Sequence, residues 1–352
     1  MDINSYLRKE RELIDSVLEK YVPREFKEKD LKNLLGKERY SFDIISADWA
    51  ISEPVWNFLD RGGKRWRPAL FLLLTEALKG DINKVMDFVS LIELVHNGTI
   101  IIDDIEDNSS IRRGKPCLHK IYGEDIAINA GNALYFIPLK VIMNSDFDIS
   151  IKEKAFEIYS QEMINLHFGQ SMDIFWHKGK KKEITEKQYL QMVSLKTGTL
   201  ARLSARLAAL LAGKNGDTQE ILGKMAETIG IGFQIQDDIL DITAKERKKF
   251  GKAFGNDITE GKRSLMVIRV LETGGEKDKK RLLEILDSHT RDKDLINEAI
   301  KIIEKYDAVN YAKNLARKML KDAWKETEKV LEESEAKKTL ASFMEYLIER
   351  DV

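Results

Sequence analysis

The sequence is short of cysteine, of proline and of net charge. Its 352 residues include one cysteine, Cys117, which excludes an internal disulfide framework and predicts a reducing compartment, by default the cytoplasm. None of the five prolines follows Pro138, so long uninterrupted helices are permitted in the rest of the chain. The 58 lysines and arginines balance 59 aspartates and glutamates, so we expect no nucleic-acid surface.

Long apolar runs are also absent. The first residues, MDINSYLRKERELIDSVLEKY, alternate charged and apolar positions, which is not the pattern of a signal peptide. No stretch reaches about 18 uninterrupted apolar residues, so we expect no membrane span. Hydrophobic residues nevertheless make up 43% of the chain, enough for a large buried core.

Helical periodicity fills most of the sequence. Leucines 200, 203, 207, 210 and 211 recur at steps of three and four, which is the apolar stripe of a packed helix. No Ser/Gly/Pro-rich linker divides the chain, so one continuous domain over residues 1–352 is favoured over two. We therefore predict an all-α, single-domain bundle of about a dozen helices. The predicted segments are 4–20, 68–79, 84–103, 124–144, 151–175, 185–213, 218–241, 262–272, 279–288, 294–305 and 307–332.

Carboxylates crowd the end of the strongly apolar segment 84–103, in IIDDIEDNSS. On a helix Asp103 and Asp107 lie about 40° apart, with Asp104 beside them. Like charges at this spacing destabilise a helix unless solvent or a cation compensates them. A solvated helix end would explain one such cluster, and Glu106 is expected to be a surface carboxylate.

A second cluster with the same spacing occurs inside the apolar segment IGIGFQIQDDILDI, as Asp237, Asp238 and Asp241. Two such clusters on apolar helices indicate facing carboxylate sets that bind Mg²⁺ together with an anion, because Mg²⁺ combines a few carboxylates with substrate phosphates. Basic residues support this interpretation. They lie in a Gly-Gly turn ahead of Pro68 (Lys64, Arg65, Arg67), after the first cluster (Arg112, Arg113), in VSLKTGTL (Lys196) and after the second cluster (Lys252, Lys262).

The motifs GGKRWRP, LVHNGTIIIDDIEDNSSIRRGKPCLH, FGQSMDI, VSLKTGTL, GFQIQDDILD and FGKAFGNDITEGKRSL resemble, in order and spacing, those of the trans-isoprenyl diphosphate synthases. The resemblance covers roughly residues 58 to 270 and is greatest to geranylgeranyl diphosphate synthases. It implies the isoprenoid synthase fold around a deep central cavity, a homodimer and three Mg²⁺ ions. It also implies Mg²⁺-dependent condensation of isopentenyl diphosphate with dimethylallyl, geranyl or farnesyl diphosphate.

The resemblance assigns roles to individual residues. Asp103, Asp107 and Asp237 are the expected direct metal ligands, and Asp104, Asp238 and Asp241 complete the two sets or act through water. The allylic diphosphate is expected to contact Arg112, Lys196 and Lys252, with Thr197, Gln234 and Lys262 lining the same side. Isopentenyl diphosphate is expected to contact Lys64, Arg67, His96 and Arg113. Asp173 is either a contact or a supporting partner.

Product length is predicted from the helix before the first motif, where bulky residues shorten the product in this family. Here Gly98 and Thr99 occupy that turn, and neither is aromatic. Tyr135 and Phe136 are candidates to close a deeper cavity and give a C20 product, and longer chains follow if they point elsewhere.

Three rival interpretations remain. A class I terpene cyclase also ionises a diphosphate, but the second DDxxD and the GGKRWRP stretch weigh against it. A catalytically inactive regulatory subunit typically loses aspartates from one motif, and both motifs are intact here. A helical scaffold without a ligand leaves two acidic clusters on apolar helices unexplained.

Overall fold

The structure is a computed structural model that describes residues 3–181, 183–243 and 255–349. The chain divides into two compact units. Unit 1 comprises residues 1–158, 207–215 and 334–339, and unit 2 comprises residues 159–206, 216–333 and 340–352. The prediction of a single domain stays a prediction.

The described residues are almost entirely helical, as predicted. In chain order the α-helices are α1 (Ile3–Tyr21), α2 (Glu28–Leu35), α3 (Ile44–Ala47), α4 (Glu53–Leu59), α5 (Trp66–Ala77), α6 (Ile82–Val85), α7 (Phe88–Glu106), α8 (Leu118–Ile121), α9 (Glu124–Phe136), α10 (Leu139–Asn144), α11 (Ile149–His177), α12 (Glu186–Val193), α13 (Thr199–Leu211), α14 (Gly216–Thr243), α15 (Asn256–Thr259), α16 (Leu265–Thr273), α17 (Glu276–Asp287), α18 (Lys293–Lys305), α19 (Ala308–Thr327) and α20 (Glu335–Glu349). Among the described residues, two single-turn π-helices occur, at Asp48–Ser52 and Ser194–Gly198, and each is called a π-turn below. A two-residue hairpin pairs β1 (Ile111–Arg112) with β2 (Lys115–Pro116).

Helices are more numerous than predicted because local breaks divide several of them and because others, such as α2, α4 and α20, lie outside the predicted segments. The predicted helix 124–144 is two helices, separated at Ile137 and Pro138, where proline cannot donate the next backbone hydrogen bond. The predicted helix 185–213 is interrupted by the π-turn at Ser194–Gly198. Helix α5 begins at Trp66, two residues before the proline that was expected to start it.

Helix α7 is the central helix of unit 1. Its buried face includes Val89, Leu91, Ile92 and Leu94, none of which exposes any surface, as the all-round apolar pattern predicted. It packs against α1, α5 and α9. The carboxylates of the first motif therefore project from the end of a helix that the core holds in place.

Helix α14 is the central helix of unit 2. Its apolar residues Ile231, Ile235 and Ile239 join a core that also contains residues of α16 to α19. Small side chains on α19, Ala312 and Ala316, allow that helix to lie close to α14. The second motif is thus also carried by a core helix.

Two segments, Ile82–Glu106 and Glu124–Asn144, are long and apolar enough to cross a membrane when judged by length and composition alone. In the structure, 67% and 44% of their most apolar windows are buried inside the protein. Core helices of globular proteins have the same properties, so these segments give no support for a membrane span.

Candidate active site

The first motif lies at the carboxyl end of α7 in unit 1. Asp103 and Asp107 are partly exposed and one turn apart, and the Asp107 N–H donates to the Asp103 carbonyl at 2.9 Å. Glu106 is exposed, as expected for a surface carboxylate. Asp103 and Asp107 are thus accessible for the predicted contact with a cation.

Asp104, between them in sequence, has a different environment. It is only 1% exposed, and Oδ1 accepts hydrogen bonds from Arg112 Nε at 2.7 Å and Nη2 at 2.6 Å. Burial raises the pKa of Asp104, although Arg112 opposes the shift. The Arg112 pKa is itself raised, since the Asp104 carboxylate outweighs the effect of burial. This ion pair makes Asp104 a partner of Arg112, whereas Asp103 is more accessible.

The Gly-Gly turn brings two of its three cations inside the protein. Lys64 is exposed, whereas Arg65 adopts a left-handed backbone with φ of 51° and turns its side chain inward. Arg65 donates to Asp15 at 2.8 Å and to Glu93 at 3.0 Å, and its guanidinium is only 1% exposed. Arg65 therefore anchors the turn to α1 and α7 and is not available to a ligand.

Arg67, His96 and Arg113 have side chains in the same part of unit 1. Arg67 Nη1 lies 3.2 Å from His96 Nε2, and Arg113 Nη2 donates to Asn97 Oδ1 at 3.2 Å. Burial lowers the pKa of His96, and the neighbouring arginines add to the shift. Burial also lowers the pKa of Arg113 to about 10. The neutral imidazole and its arginines form a cationic group suited to a diphosphate.

Gly63 explains why this turn needs glycine. Its φ is 143°, and a Cβ there would lie 3.0 Å from Arg65 Nη1 and 3.4 Å from Arg113 Nη2. A side chain would be strained by the backbone conformation and would press on both guanidinium groups.

The residues that were predicted to set the product length differ in burial. Gly98 packs against α9: a Cβ would lie 2.7 Å from the Gly131 carbonyl and 3.1 Å from Tyr135 Cε1. Tyr135 is buried, whereas Phe136 exposes 68% of its surface. The exposure of Phe136 favours Tyr135 of the two, and the expectation that they close a deeper cavity stays a prediction. Gly98 is small because α9 lies against it, whereas Thr99 is partly exposed.

The second motif lies in the last two turns of α14, in unit 2. Asp237 is partly exposed. Asp238 is buried and accepts hydrogen bonds from Tyr189 Oη at 2.8 Å and from Gln234 Nε2 at 2.8 Å. Thr197 Oγ1 donates to Gln234 Oε1 at 3.0 Å. These bonds fix the Gln234 amide, with its carbonyl toward Thr197 and its N–H toward the carboxylate.

Asp238 is difficult to ionise in this environment. Burial and the nearby Asp257 carboxylate raise the pKa of Asp238 to about 7. A cation beside the motif would favour the ionised form.

Asp241, predicted as a metal ligand, uses both carboxylate oxygens within the protein. Oδ1 accepts from the Asn256 N–H at 3.1 Å, and Oδ2 accepts from the Asp257 N–H at 3.1 Å. Asp241 therefore caps the short helix α15, and this engagement argues against direct metal contact.

Two predicted cations of unit 2 bind carboxylates. Lys196, in the π-turn, donates to Asp173 at 2.5 Å, which makes Asp173 a supporting partner of the lysine. Lys262 Nζ lies 2.6 Å from Glu260 and 3.7 Å from Asp257. Lys252 lies outside the described residues.

The donor chemistry fits Mg²⁺. Among residues 3–181, 183–243 and 255–349, no group of three or more His, Cys, Asp or Glu side chains forms a metal site by itself. Mg²⁺ keeps several waters and is held by one or two carboxylates plus substrate phosphates, so a complete protein cage is not required. Asp103, Asp107 and Asp237 are hard oxygen donors of the right kind.

Several residues that contact the predicted site residues were not themselves predicted from the motifs. Tyr189 and Glu93 hold predicted residues in place but lie outside the motifs, and Asn97 lies inside LVHNGTIIIDD, where no role was predicted for it. Asp257 and Glu260 lie within the quoted stretch FGNDITEGK, where their spacing from Lys262 was the available signal.

Comparisons with known proteins agree with these observations. The polyprenyl synthetase family model matches residues 49–303. A short chain isoprenyl diphosphate synthase of Methanothermobacter thermautotrophicus is 37% identical over 84% of this chain and 89% of its own length. A geranylgeranyl pyrophosphate synthase of Geoglobus acetivorans is also 37% identical, over 84% of this chain and 89% of its own.

A solved structure is similar over nearly its whole length. The geranylgeranyl pyrophosphate synthetase of Pyrococcus horikoshii Ot3 has a TM-score of 0.85, with 31% identity over 99% of this chain and 98% of its own. The predicted isoprenoid synthase fold and prenyltransferase class are confirmed, and the chain belongs to the polyprenyl synthetase family.

Proposed function

We propose that this chain condenses isopentenyl diphosphate with an allylic diphosphate and makes geranylgeranyl diphosphate. The observation that supports this most directly is the pair of DDxxD motifs, each at the end of a core helix and each with accessible carboxylates and nearby cations. The named relatives, which include geranylgeranyl pyrophosphate synthases, support the same substrate class.

Unit 1 carries the residues proposed for isopentenyl diphosphate. Lys64 is exposed, and Arg67, His96 and Arg113 lie in the same part of the unit. A neutral His96 can donate one hydrogen bond and accept another, while the arginines supply the charge that a diphosphate requires. Arg112, held by Asp104, is proposed for the allylic diphosphate.

Unit 2 carries further residues that are proposed to contact the allylic diphosphate. Lys196 and Lys262 are proposed to bind the allylic diphosphate, and Lys252 keeps the role that the resemblance assigns. Thr197 and Gln234 present neutral dipoles that stabilise positive charge on the allylic carbons without reacting with it. Bound at Asp103, Asp107 and Asp237, Mg²⁺, in the proposed number of three ions, would neutralise the leaving diphosphate.

The condensation needs no protein nucleophile. The allylic C–O bond breaks, the double bond of isopentenyl diphosphate attacks the allylic carbon, and a proton leaves to the released pyrophosphate. This agrees with the burial of Cys117, whose pKa is raised to about 12 by burial and by Asp104.

Product length depends on Tyr135 in this proposal. Its buried ring lies beside Gly98 on α7, a position suited to limiting the cavity. The absence of aromatic residues at Gly98 and Thr99 favours the second candidate, a longer-chain polyprenyl diphosphate synthase, if Tyr135 leaves the cavity open.

Incubation of purified protein with labelled isopentenyl diphosphate, Mg²⁺ and each of dimethylallyl, geranyl or farnesyl diphosphate tests the proposal. We expect C20 as the main product, resolved by chromatography. Main products beyond C20 would assign the longer-chain function. No condensation with any primer would contradict prenyl transfer and favour the regulatory-subunit interpretation.

A cytoplasmic homodimer is also proposed. In unit 1, Ile128 and Phe136 on α9 expose 42% and 68% of their surfaces. In unit 2, Ile164, Phe168 and Phe175 lie at helical spacing on α11 and are each more than half exposed. Light scattering of the wild type should give a dimer mass. Phe168→Glu should shift the mass toward the monomer, and a monomeric wild type would contradict the proposal.

A further inference from the structure

The π-turn Ser194–Gly198 is enclosed by close backbone packing within unit 2. A Cβ at Gly169 of α11 would lie 2.3 Å from the Lys196 nitrogen, and one at Gly230 of α14 would lie 2.6 Å from the Gly198 Cα. Neither position has room for a side chain. The turn that carries Lys196 and Thr197 is therefore fixed on two sides by neighbouring helices.

Glu227, on α14, contacts both ends of this turn. Ser194 Oγ donates to Glu227 Oε1 at 2.6 Å. At the other end, a Cβ on Gly198 would lie 3.0 Å from Glu227 Cγ and 3.2 Å from its carbonyl oxygen. One side chain thus touches the first and the last residue of the turn.

Arg202 connects Glu227 to a second carboxylate. Its Nη1 donates to Glu227 Oε2 at 2.5 Å, and its Nε and Nη2 donate to Glu162 at 2.9 and 2.7 Å. Glu162 exposes no surface and also accepts from Arg206 at 3.2 Å. The pKa of Arg202 is raised because its ion pairs outweigh the effect of burial.

A buried network of this kind is costly to assemble and costlier to break, because removing one partner leaves the other charge unpaired. Buried ion pairs are often no more stabilising than apolar packing, so stability alone does not account for it. The network contacts the π-turn directly through Ser194, and single-turn π-helices of this kind are frequent at functional sites.

We propose that Glu227 is a positioning residue for the allylic site. Together with Ser194 and Arg202 it holds the π-turn so that Lys196 reaches Asp173 and Thr197 reaches Gln234. This inference rests on the proposed function, since it assigns Lys196 and Thr197 to the allylic diphosphate. A displacement of about 1 Å at reacting groups costs about a hundredfold in rate, so the support is functionally significant.

Glu227→Gln tests the inference, because it keeps the size of the side chain and the acceptor for Ser194 but loses the ion pair with Arg202. The matched control is Glu220→Gln on the same helix, where Glu220 pairs with exposed Lys224. For Glu227→Gln we expect the KM of the allylic diphosphate to rise, and kcat to fall, by about tenfold each. The KM of isopentenyl diphosphate should stay within about twofold, and Glu220→Gln should match the wild type.

Hydrogen exchange gives a readout that does not need activity. Amides of residues 194–198 should exchange faster in Glu227→Gln than in the wild type and Glu220→Gln. An inactive wild type refutes the proposed function. An active wild type with an indistinguishable Glu227→Gln refutes only this inference.

If Glu227→Gln does not fold, Ser194→Ala tests whether Glu227 positions the π-turn. It removes one hydrogen bond to Glu227 and leaves both ion pairs of Arg202 in place. The same selective rise in the KM of the allylic diphosphate supports the inference, and wild-type kinetics overturn it.

Discussion

Asp241, the last aspartate of the second motif, accepts a hydrogen bond from the Asn256 N–H at 3.1 Å and caps the helix that precedes Lys262. Asp237, one turn earlier, is partly exposed. Two residues of one motif therefore have different environments, and a difference in their roles can be measured.

Asp237→Ala should lower the kcat/KM of condensation by at least about a hundredfold, because it removes a proposed metal ligand. Asp103→Ala should behave in the same way. Asp241→Asn keeps one acceptor for the cap and should cost about tenfold. Circular dichroism should show unchanged helicity in all three variants. Equal losses for Asp237→Ala and Asp241→Asn would contradict the separate roles, and Glu106→Gln serves as the exposed control.

Mg²⁺ should bind weakly to the free protein and at least about tenfold more tightly with pyrophosphate, because phosphate oxygens complete its coordination. Calorimetric titration of the protein with Mg²⁺, with and without pyrophosphate, measures this directly. Mg²⁺ binding of equal affinity in both titrations would indicate a preformed protein site.

Gly98→Ala should lower the free energy of unfolding by about 1–3 kcal/mol, because the new methyl group meets the Gly131 carbonyl and Leu134. Denaturant unfolding measures the change. Gly216→Ala is the matched control, because nothing lies within 4 Å of a Cβ there. It should be neutral or slightly stabilising. Equal stability of the two variants would refute the packing account of Gly98.

Tyr135→Ala should lengthen the product beyond that of the wild type, since it removes the buried ring beside Gly98. Phe136→Ala is its matched control and should leave product length unchanged, because Phe136 is exposed. Chromatography of labelled products distinguishes them. A longer product from Phe136→Ala alone would reverse the assignment.

Asp238 should make stability depend on pH in the absence of Mg²⁺. Its pKa is raised to about 7, whereas an unfolded aspartate titrates near about 4. Between these values the folded state holds a proton that the unfolded state has released, so the free energy of unfolding falls as pH rises. Asp238→Asn removes this contribution. The difference in unfolding free energy, wild type minus variant, should fall between about pH 4 and 7. A constant difference would contradict the shift.

The sequence predicted the features that have a local pattern. Apolar spacing indicated the helices, and the cost of adjacent carboxylates predicted that the two DDxxD clusters bind a cation, which stays a prediction. Features made by side chains far apart in sequence were missed. Glu162, Arg202 and Glu227 lie on three helices and form a network only after those helices pack. The inward turn of Arg65 was missed for the same reason, since its partners Asp15 and Glu93 are distant in sequence.

The π-turn at Ser194–Gly198 also bears on how related sequences should be aligned. A deletion of one residue in a surface loop shortens the loop and leaves its flanking helices in place. A deletion here would remove the extra residue that the π-turn accommodates and would restore a continuous α-helix, with α12 and α13 close to their present register. Arg202 would keep Glu162, but Lys196 and Thr197 lie inside the altered turn, and at least one of them would lose its partner. Among relatives, the length of this segment is therefore expected to vary less than its residues do.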